Sequence, residues 1–227
     1  MTAILAAGPV VDSAAPAPGL PRIAPYALPQ AADLPKARAA WRPKRSRAAL
    51  LVHDMQRYFV RPFEPGASPL APAVENIARL VAHCRAVDLP VFYTAQEVRQ
   101  DRRDRGLQAD LWGPGMSDPQ AHQPVVPELA PQPGDVVLVK HRYSAFQRSN
   151  LEPLMRARGR DQLVICGIYA HIGCLLTAAD AFMRDIEPFF AADAVADFSR
   201  EKHDAAGAYV AEVCGVPMLT GQILDAL

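Results

Sequence analysis

Three short apolar runs each end in a polar or reactive side chain, and they constrain the fold of this chain more than any other feature. They cover residues 48–54, 136–140 and 163–171, ending on Asp54, on Lys140 and in the turn from Tyr169 through His171 to Gly173. Runs this short and this apolar read as strands buried on both faces, the kind found in parallel sheets. In open parallel sheets, ligands bind beyond the carboxyl ends of the strands. Asp54, Lys140 and the 169–173 loop are therefore expected to converge on one crevice. An acid, a cation and a tight glycine-containing turn suit an anionic substrate.

From residue 48 onward the pattern alternates. The strand ending at Asp54 is followed by a helix over about 71–87, with Val74, Ile77, Ala78, Val81 and Ala82 at helical spacing. A strand over 91–95 leads into a long connection, 96–134, that contains a Trp112-Gly113-Pro114-Gly115 turn. Long connections in compact domains are often functional. Then come the strand to Lys140, a helix near 151–158, the strand to Gly167, a helix over about 174–184, a strand near 189–192, a helix near 200–213 and a last strand at 216–219. Strands alternating with helices mean a parallel sheet covered on both faces.

Residues 1–45 differ. They are rich in alanine and proline, with Pro16, Pro18, Pro21, Pro25, Pro29 and Pro35. Proline removes donors and favours extended backbone, so this segment reads as an arm and residues 46–227 as the domain. Its first part is expected to be disordered and residues 1–8 to be a flexible leader, since no cationic region precedes their apolar residues. The later part, around Tyr26 and Trp41, is expected to lie over the domain or over a neighbouring subunit. The basic stretch 43–47 reads as a solvated approach to the first strand.

The 227 residues are half hydrophobic, enough for one sizeable α/β domain. The 24 acidic and 24 basic side chains balance, which argues against a nucleic-acid partner held on a basic face. No apolar stretch is long enough to span a bilayer. Cys84, Cys166, Cys174 and Cys214 show no paired spacing, a usage that fits a reducing cytoplasm without a disulfide framework.

A carboxyl at the end of a buried strand is partly desolvated, which favours its neutral, proton-donating form, so Asp54 is a candidate general acid or base. The same position also suits a capping aspartate at the start of a turn. Lys140 suits a substrate carboxylate or the tuning of a neighbouring acid, and equally a solvated terminus. Tyr143 and Ser144 add hydroxyl donors nearby. Gly173, at a helix start, lets backbone N–H groups approach an anion. His171 suits a base or a hydrogen-bonded structural residue.

Taken together, His53-Asp54-Met55-Gln56, Tyr93-Thr94-Ala95-Gln96, the Trp112 turn, Lys140 with 142–146, Gly167 to Gly173 and 192–199 resemble the isochorismatases. The resemblance covers about residues 26–224. It implies a three-layer α/β/α fold and cleavage of a vinyl ether to release pyruvate, with no metal or organic cofactor. It implies that Asp54 protonates the vinyl methylene carbon, that Lys140 binds substrate beside it, and that Gln96, Arg105, Tyr143, Tyr169 and Gly173 hold the ring and carboxylates. On the same resemblance Trp112 is expected to form one wall, a position that loop packing alone would also explain. Arg105 rests on aligning 105–107 ahead of Trp112 in a variable loop. A small-molecule substrate and self-association, as a dimer, also follow.

Two departures separate the chain from the cysteine amidases of the wider superfamily. Their nucleophile falls at Gly173, and Cys174, one residue on, is rotated by about 100° and expected to point away from the crevice. Nor does the chain contain the His-x-His of their metal set. A third departure lies within the family itself, where His141 replaces a frequent tryptophan and becomes a candidate for altered substrate preference. Residues 53–62 look closer to the branch that acts on 2-amino-2-deoxyisochorismate in phenazine-type pathways. Residues 178–185 look closer to the siderophore branch that acts on isochorismate.

Overall fold

A six-stranded, wholly parallel sheet organises the molecule. The computed structural model describes residues 19–227, so the readings of a leader and of a disordered start to the arm lie outside the described residues. The strands are β1 (Ala48–His53), β2 (Val91–Ala95), β3 (Val136–Val139), β4 (Gln162–Ile168), β5 (Glu187–Ala196) and β6 (Val216–Met218), in spatial order 3-2-1-4-5-6. The order reverses between β1 and β4, where Leu51 is flanked by Phe92 on one side and Ile165 on the other. At such a switch point two successive connections leave in opposite directions and open a crevice at the carboxyl ends.

The period of two along β1 sorts its side chains into two cores. Leu50 and Val52 join Ile77, Leu80, Val164 and Phe189, while Ala49 and Leu51 join Phe92, Met155, Ile165 and Phe190. The helices, in chain order, are α1 (Arg57–Val60), α2 (Leu70–Ala86), α3 (Arg102–Arg105), α4 (Gln108–Trp112), α5 (Leu151–Arg156), α6 (Leu175–Phe182), α7 (Arg200–Tyr209) and α8 (Thr220–Ala226). Helix α2 buries Ala73, Ile77, Leu80, Val81 and Cys84, and α8 contributes Ile223 to the same face. Helices α5, α6 and α7 cover the other face. The result is the three-layer α/β/α arrangement.

Several expectations need correcting. Strand β3 is not buried on both faces: Val137 is 50 % and Val139 40 % exposed, because β3 is the sheet's edge. Strand β5 runs to Ala196, well past Ala192, and slips register opposite Ile165 and Gly167. The last strand ends at Met218, and the closing helix α8 was not foreseen. Helix α6 starts one residue late, after a wide turn over Ala170–Cys174.

The described part of the arm lies over its own domain. Ile23 and Leu28 are buried, and the Arg38 N–H donates to Ala211 O at 2.9 Å. The Tyr26 hydroxyl accepts the Asp197 N–H at 2.7 Å and donates to His203 Nδ1 at 3.1 Å. Buried Gln162 accepts the Lys44 N–H at 2.7 Å and donates to Arg42 O at 3.0 Å, so the basic stretch is fastened as it enters β1. Arg47 pairs with Asp161 at 2.7 Å and Glu187 at 3.0 Å.

Candidate active site

Strand ends bring the first three functional groups together. Strand β1 stops because Asp54 turns into the left-handed region, with φ of 49°, a conformation that Asp tolerates better than most residues. This turns its carboxyl across the end of the sheet towards β2. Thr94, in β2, donates to Asp54 Oδ1 at 2.6 Å and accepts the Asp54 N–H at 3.1 Å. Lys140, just past β3, is only 3 % exposed and donates from Nζ to Asp54 Oδ2 at 2.5 Å. Burial pushes the Asp54 carboxyl up, but the Lys140 ammonium and the side-chain hydrogen bonds from Lys140 and Thr94 outweigh it and hold the group below the usual carboxylate range. The expectation of a neutral Asp54 is therefore corrected. Without substrate it is a carboxylate in a buried ion pair, because its neighbours supply more than desolvation removes.

The long connection supplies the facing wall. Arg105, at the end of α3, is 7 % exposed. Its Nε–H donates to Gly113 O at 2.6 Å, while its terminal nitrogens make no hydrogen bond to the described protein. Gly115 has φ of 80°, and a Cβ there would meet the guanidinium at 2.7 Å, so the Trp112-Gly113-Pro114-Gly115 turn is the cradle of Arg105. With no carboxylate beside it, burial draws the guanidinium pKa down. A buried cation without an internal counter-charge is an anion site.

Gln96 lines the same pocket, aimed by a fully buried Gln56. Gln56 donates to Gln96 O at 2.8 Å and accepts the Gln96 N–H at 2.7 Å. Trp112 Nε1–H donates to the Tyr143 hydroxyl at 2.7 Å, which leaves the tyrosine proton free to donate into the pocket. Ser144 does not reach it; its hydroxyl donates to Asp180 at 2.7 Å.

The third wall is aromatic. Tyr169 donates to Phe59 O at 2.6 Å, so it offers the pocket a ring face and not a hydroxyl. Its ring lies 4.4 Å from Phe198 and 6.1 Å from Phe63. Gly173 lies on the pocket lining, and beneath it sits His53, with no exposure. Burial first, and the Lys140 cation, push the His53 pKa down to about 4, against the pull of Asp54. The neutral ring carries one N–H, which we assign to Nδ1, 2.9 Å from Ile168 O; Nε2 lies 3.2 Å from Tyr143 O.

The structure thus places Asp54, Lys140, Gly173, Gln96, Arg105, Trp112, Tyr143 and Tyr169 around one pocket. It leaves out two histidines. His171 pairs with Asp197 at 2.5 Å and packs edge-on against Phe198, and neither it nor His141 is on the pocket lining. Thr94, His53, Gln56 and Phe198 are the participants that sequence reasoning did not single out. Cys174 points into the core formed with Ala178, Val195 and Val210, as its rotation implied, and burial pushes its thiol well above the ordinary range. Cys174→Ala is therefore expected to leave turnover intact at a modest cost in melting temperature; loss of turnover in a folded variant would make the thiol a participant.

Among the described residues, no three or more His, Cys, Asp or Glu side chains are arranged to hold a metal ion, and no helix is long and apolar enough to cross a membrane.

Known proteins resemble this chain in sequence and in fold. Residues 48–222 match the Isochorismatase domain family. The chain is 50 % identical over 208 residues to the isochorismatase of Bacillus subtilis (strain 168), covering 92 % of this chain and 67 % of that one. It is 47 % identical over 206 residues to the phenazine biosynthesis protein PhzD of Pseudomonas fluorescens, covering 91 % of this chain and 99 % of that one. A solved cysteine hydrolase of Pseudomonas syringae pv. phaseolicola superposes with a TM-score of 0.75 at 27 % identity, over 85 % of this chain and 96 % of that one.

Proposed function

The chain belongs to the isochorismatase family, and from that premise we propose that it is an isochorismatase, hydrolysing the vinyl ether of isochorismate to pyruvate and 2,3-dihydroxy-2,3-dihydrobenzoate. The observation that carries this reading is the buried Asp54–Lys140 pair, set in a pocket whose position 173 is glycine and offers no nucleophile.

Asp54 is the acid. In the free pair Asp54 is the carboxylate, with Lys140 Nζ 2.5 Å from Oδ2. A bound dianion displaces water and disfavours the carboxylate, so a proton passes to Asp54 and from there to the methylene carbon of the enolpyruvyl group. The carbon that bears the ether oxygen becomes an oxocarbenium-like cation beside the carboxylate thus regenerated. Water adds to this cation and returns a proton to Asp54. The hemiketal then collapses: its hydroxyl becomes the ketone of pyruvate, the bond from that carbon to the former ether oxygen breaks, and the hydroxyl proton passes to that leaving oxygen. One water is consumed and the acid is restored. Proton, cation and water come from Asp54, the substrate and solvent, so the chemistry needs no metal or organic cofactor.

Arg105 and Gln96 take a carboxylate, Tyr143 donates to a ring substituent, and Trp112, Tyr169 and Phe198 enclose the ring. Arg105→Ala is expected to raise KM by about tenfold to a hundredfold, the loss of a charge-assisted contact worth about 1.5–3 kcal/mol, with a smaller change in kcat. An unchanged KM would remove Arg105 from the binding site.

The likeness to the Pseudomonas fluorescens protein supports a second substrate, 2-amino-2-deoxyisochorismate. It shares the enolpyruvyl ether and both carboxylates, so the same proton transfer serves it. A lactate dehydrogenase-coupled assay with each substrate tests both readings. Pyruvate from isochorismate is the expected result, and pyruvate from neither, with an amide cleaved instead, would overturn the assignment. A place in siderophore or related secondary metabolism, in the cytoplasm, and a dimeric state, open to test by sedimentation, belong to the same proposal.

A further inference from the structure

His53 takes no part in the proton transfer above, yet it is completely buried against the acid that performs it. Its imidazole is wedged between two backbones, with Nδ1–H donating to Ile168 O at 2.9 Å and Nε2 lying 3.2 Å from Tyr143 O. Ile168 precedes Tyr169, so one ring spans the gap between the loops that carry two walls of the pocket. The same ring meets Gly173. A Cβ at that position would lie 2.0 Å from His53 Cε1, 2.7 Å from Nε2 and 2.8 Å from Nδ1, and these are its three nearest atoms. The Gly173 backbone is not in the left-handed region, so the imidazole alone demands glycine there.

We propose that His53 is a positioning residue: it sets the spacing of the Tyr143 and Tyr169 loops around Asp54, and with Gly173 it forms a coupled pair that keeps position 173 free of any side chain. The fold itself does not impose this, since a cysteine hydrolase shares it. Contact between one ring and one Cα does. The proposal rests on the vinyl-ether reading only for its kinetic readout; its steric half is measured without substrate.

The test is a thermal-unfolding cycle of Gly173→Ala in the wild-type and His53→Ala backgrounds. Overpacking a rigid site is destabilising, so Gly173→Ala alone is expected to lower Tm by about 5–10 °C or to prevent folding. In the His53→Ala background the same substitution is expected to shift Tm by under about 2 °C. Equal shifts in both backgrounds, or none in either, would overturn the coupling. If His53→Ala does not fold, His53→Asn takes its place, because it lacks the ring atoms at 2.0 and 2.7 Å.

The positioning half is read from Trp112, which donates to the Tyr143 hydroxyl. In a Trp41→Phe background, His53→Ala is expected to shift Trp112 emission to the red, and His53→Asn, which keeps a donor for Ile168 O, to restore part of it. Turnover per folded molecule is expected to follow the same order, falling about tenfold to a hundredfold in His53→Ala with a smaller change in KM. Unchanged emission and unchanged kcat in folded His53→Ala would reduce His53 to a packing residue. If the wild type releases no pyruvate, the function assigned above fails, while Tm and emission still decide the role of His53.

Discussion

Asp54→Asn is expected to fold and to lose turnover by about a hundredfold to ten-thousandfold, the usual contribution of a positioned general acid. Asparagine preserves the outline of the side chain and can still accept from Thr94, which donates to Oδ1 at 2.6 Å. It has no proton acidic enough to protonate carbon. Binding should largely survive, because Arg105 and Gln96 are untouched. The check is pyruvate release at saturating substrate, beside circular dichroism of the variant, and near-normal turnover would remove Asp54 from the mechanism. Stability gives a second signature. The folded Asp54 pKa is depressed, so the group stabilises the fold above the unfolded carboxyl value of about 3.9 and loses that contribution as pH falls through the folded value. The Asn variant lacks this dependence, so its acid limb should be flatter than that of the wild type.

The parts of the fold that could be read from sequence are those where one local signal acts alone. The runs that became β1 and β4 are buried along their whole length, and uninterrupted apolarity leaves few other readings. Helix α2 carries Ala73, Ile77, Leu80, Val81 and Cys84 on one face over seventeen residues, long enough for the period to show. Strand β5 hides its second half in Ala191-Ala192-Asp193-Ala194-Val195-Ala196, a stretch of weak β preference held by pairing with Gly167 and Ile168. The pattern of β3 was apolar but its place at the edge was not legible, because strand order depends on pairing partners far away in sequence.

The site divides the same way. Asp54, Lys140 and Gly173 sit at the ends of readable strands, and topology alone makes them neighbours. Arg105 and Trp112 needed the resemblance, since nothing local says that a glycine turn at 113–115 will cradle a guanidinium eight residues upstream of its anchoring carbonyl. Thr94 was in view as part of a strand end, one strand over from Asp54, yet its hydroxyl bond depends on Asp54 adopting a left-handed backbone. The charge state of Asp54 was misread for a related reason: burial follows from sequence position, whereas the opposing ammonium at 2.5 Å is a tertiary fact.

Lys140→Ala is expected to impair both steps, with a larger rise in KM than Asp54→Asn causes. The ammonium is the charge nearest the acid and lies on the lining that receives a dianion, and Coulomb attraction in a partly water-excluded site is not replaced by solvent. Removing one partner of a buried pair typically costs about 3–5 kcal/mol, so the variant should also be less stable at neutral pH. Here the sign reverses relative to the wild type. Without the ammonium, burial dominates and the folded Asp54 pKa rises above its unfolded value. The variant should then regain stability as pH falls, because a neutral carboxyl needs no counter-charge, and lose it as pH rises through the folded value. Residual turnover should decline over the same rise, since only the protonated acid can act. A Lys140→Met variant, which keeps the apolar stem, separates the lost charge from the lost volume and should show the same pH dependence with a smaller fall in Tm. Unchanged KM, turnover and pH profile in both variants would place Lys140 outside the mechanism and leave the proton on Asp54 without a source.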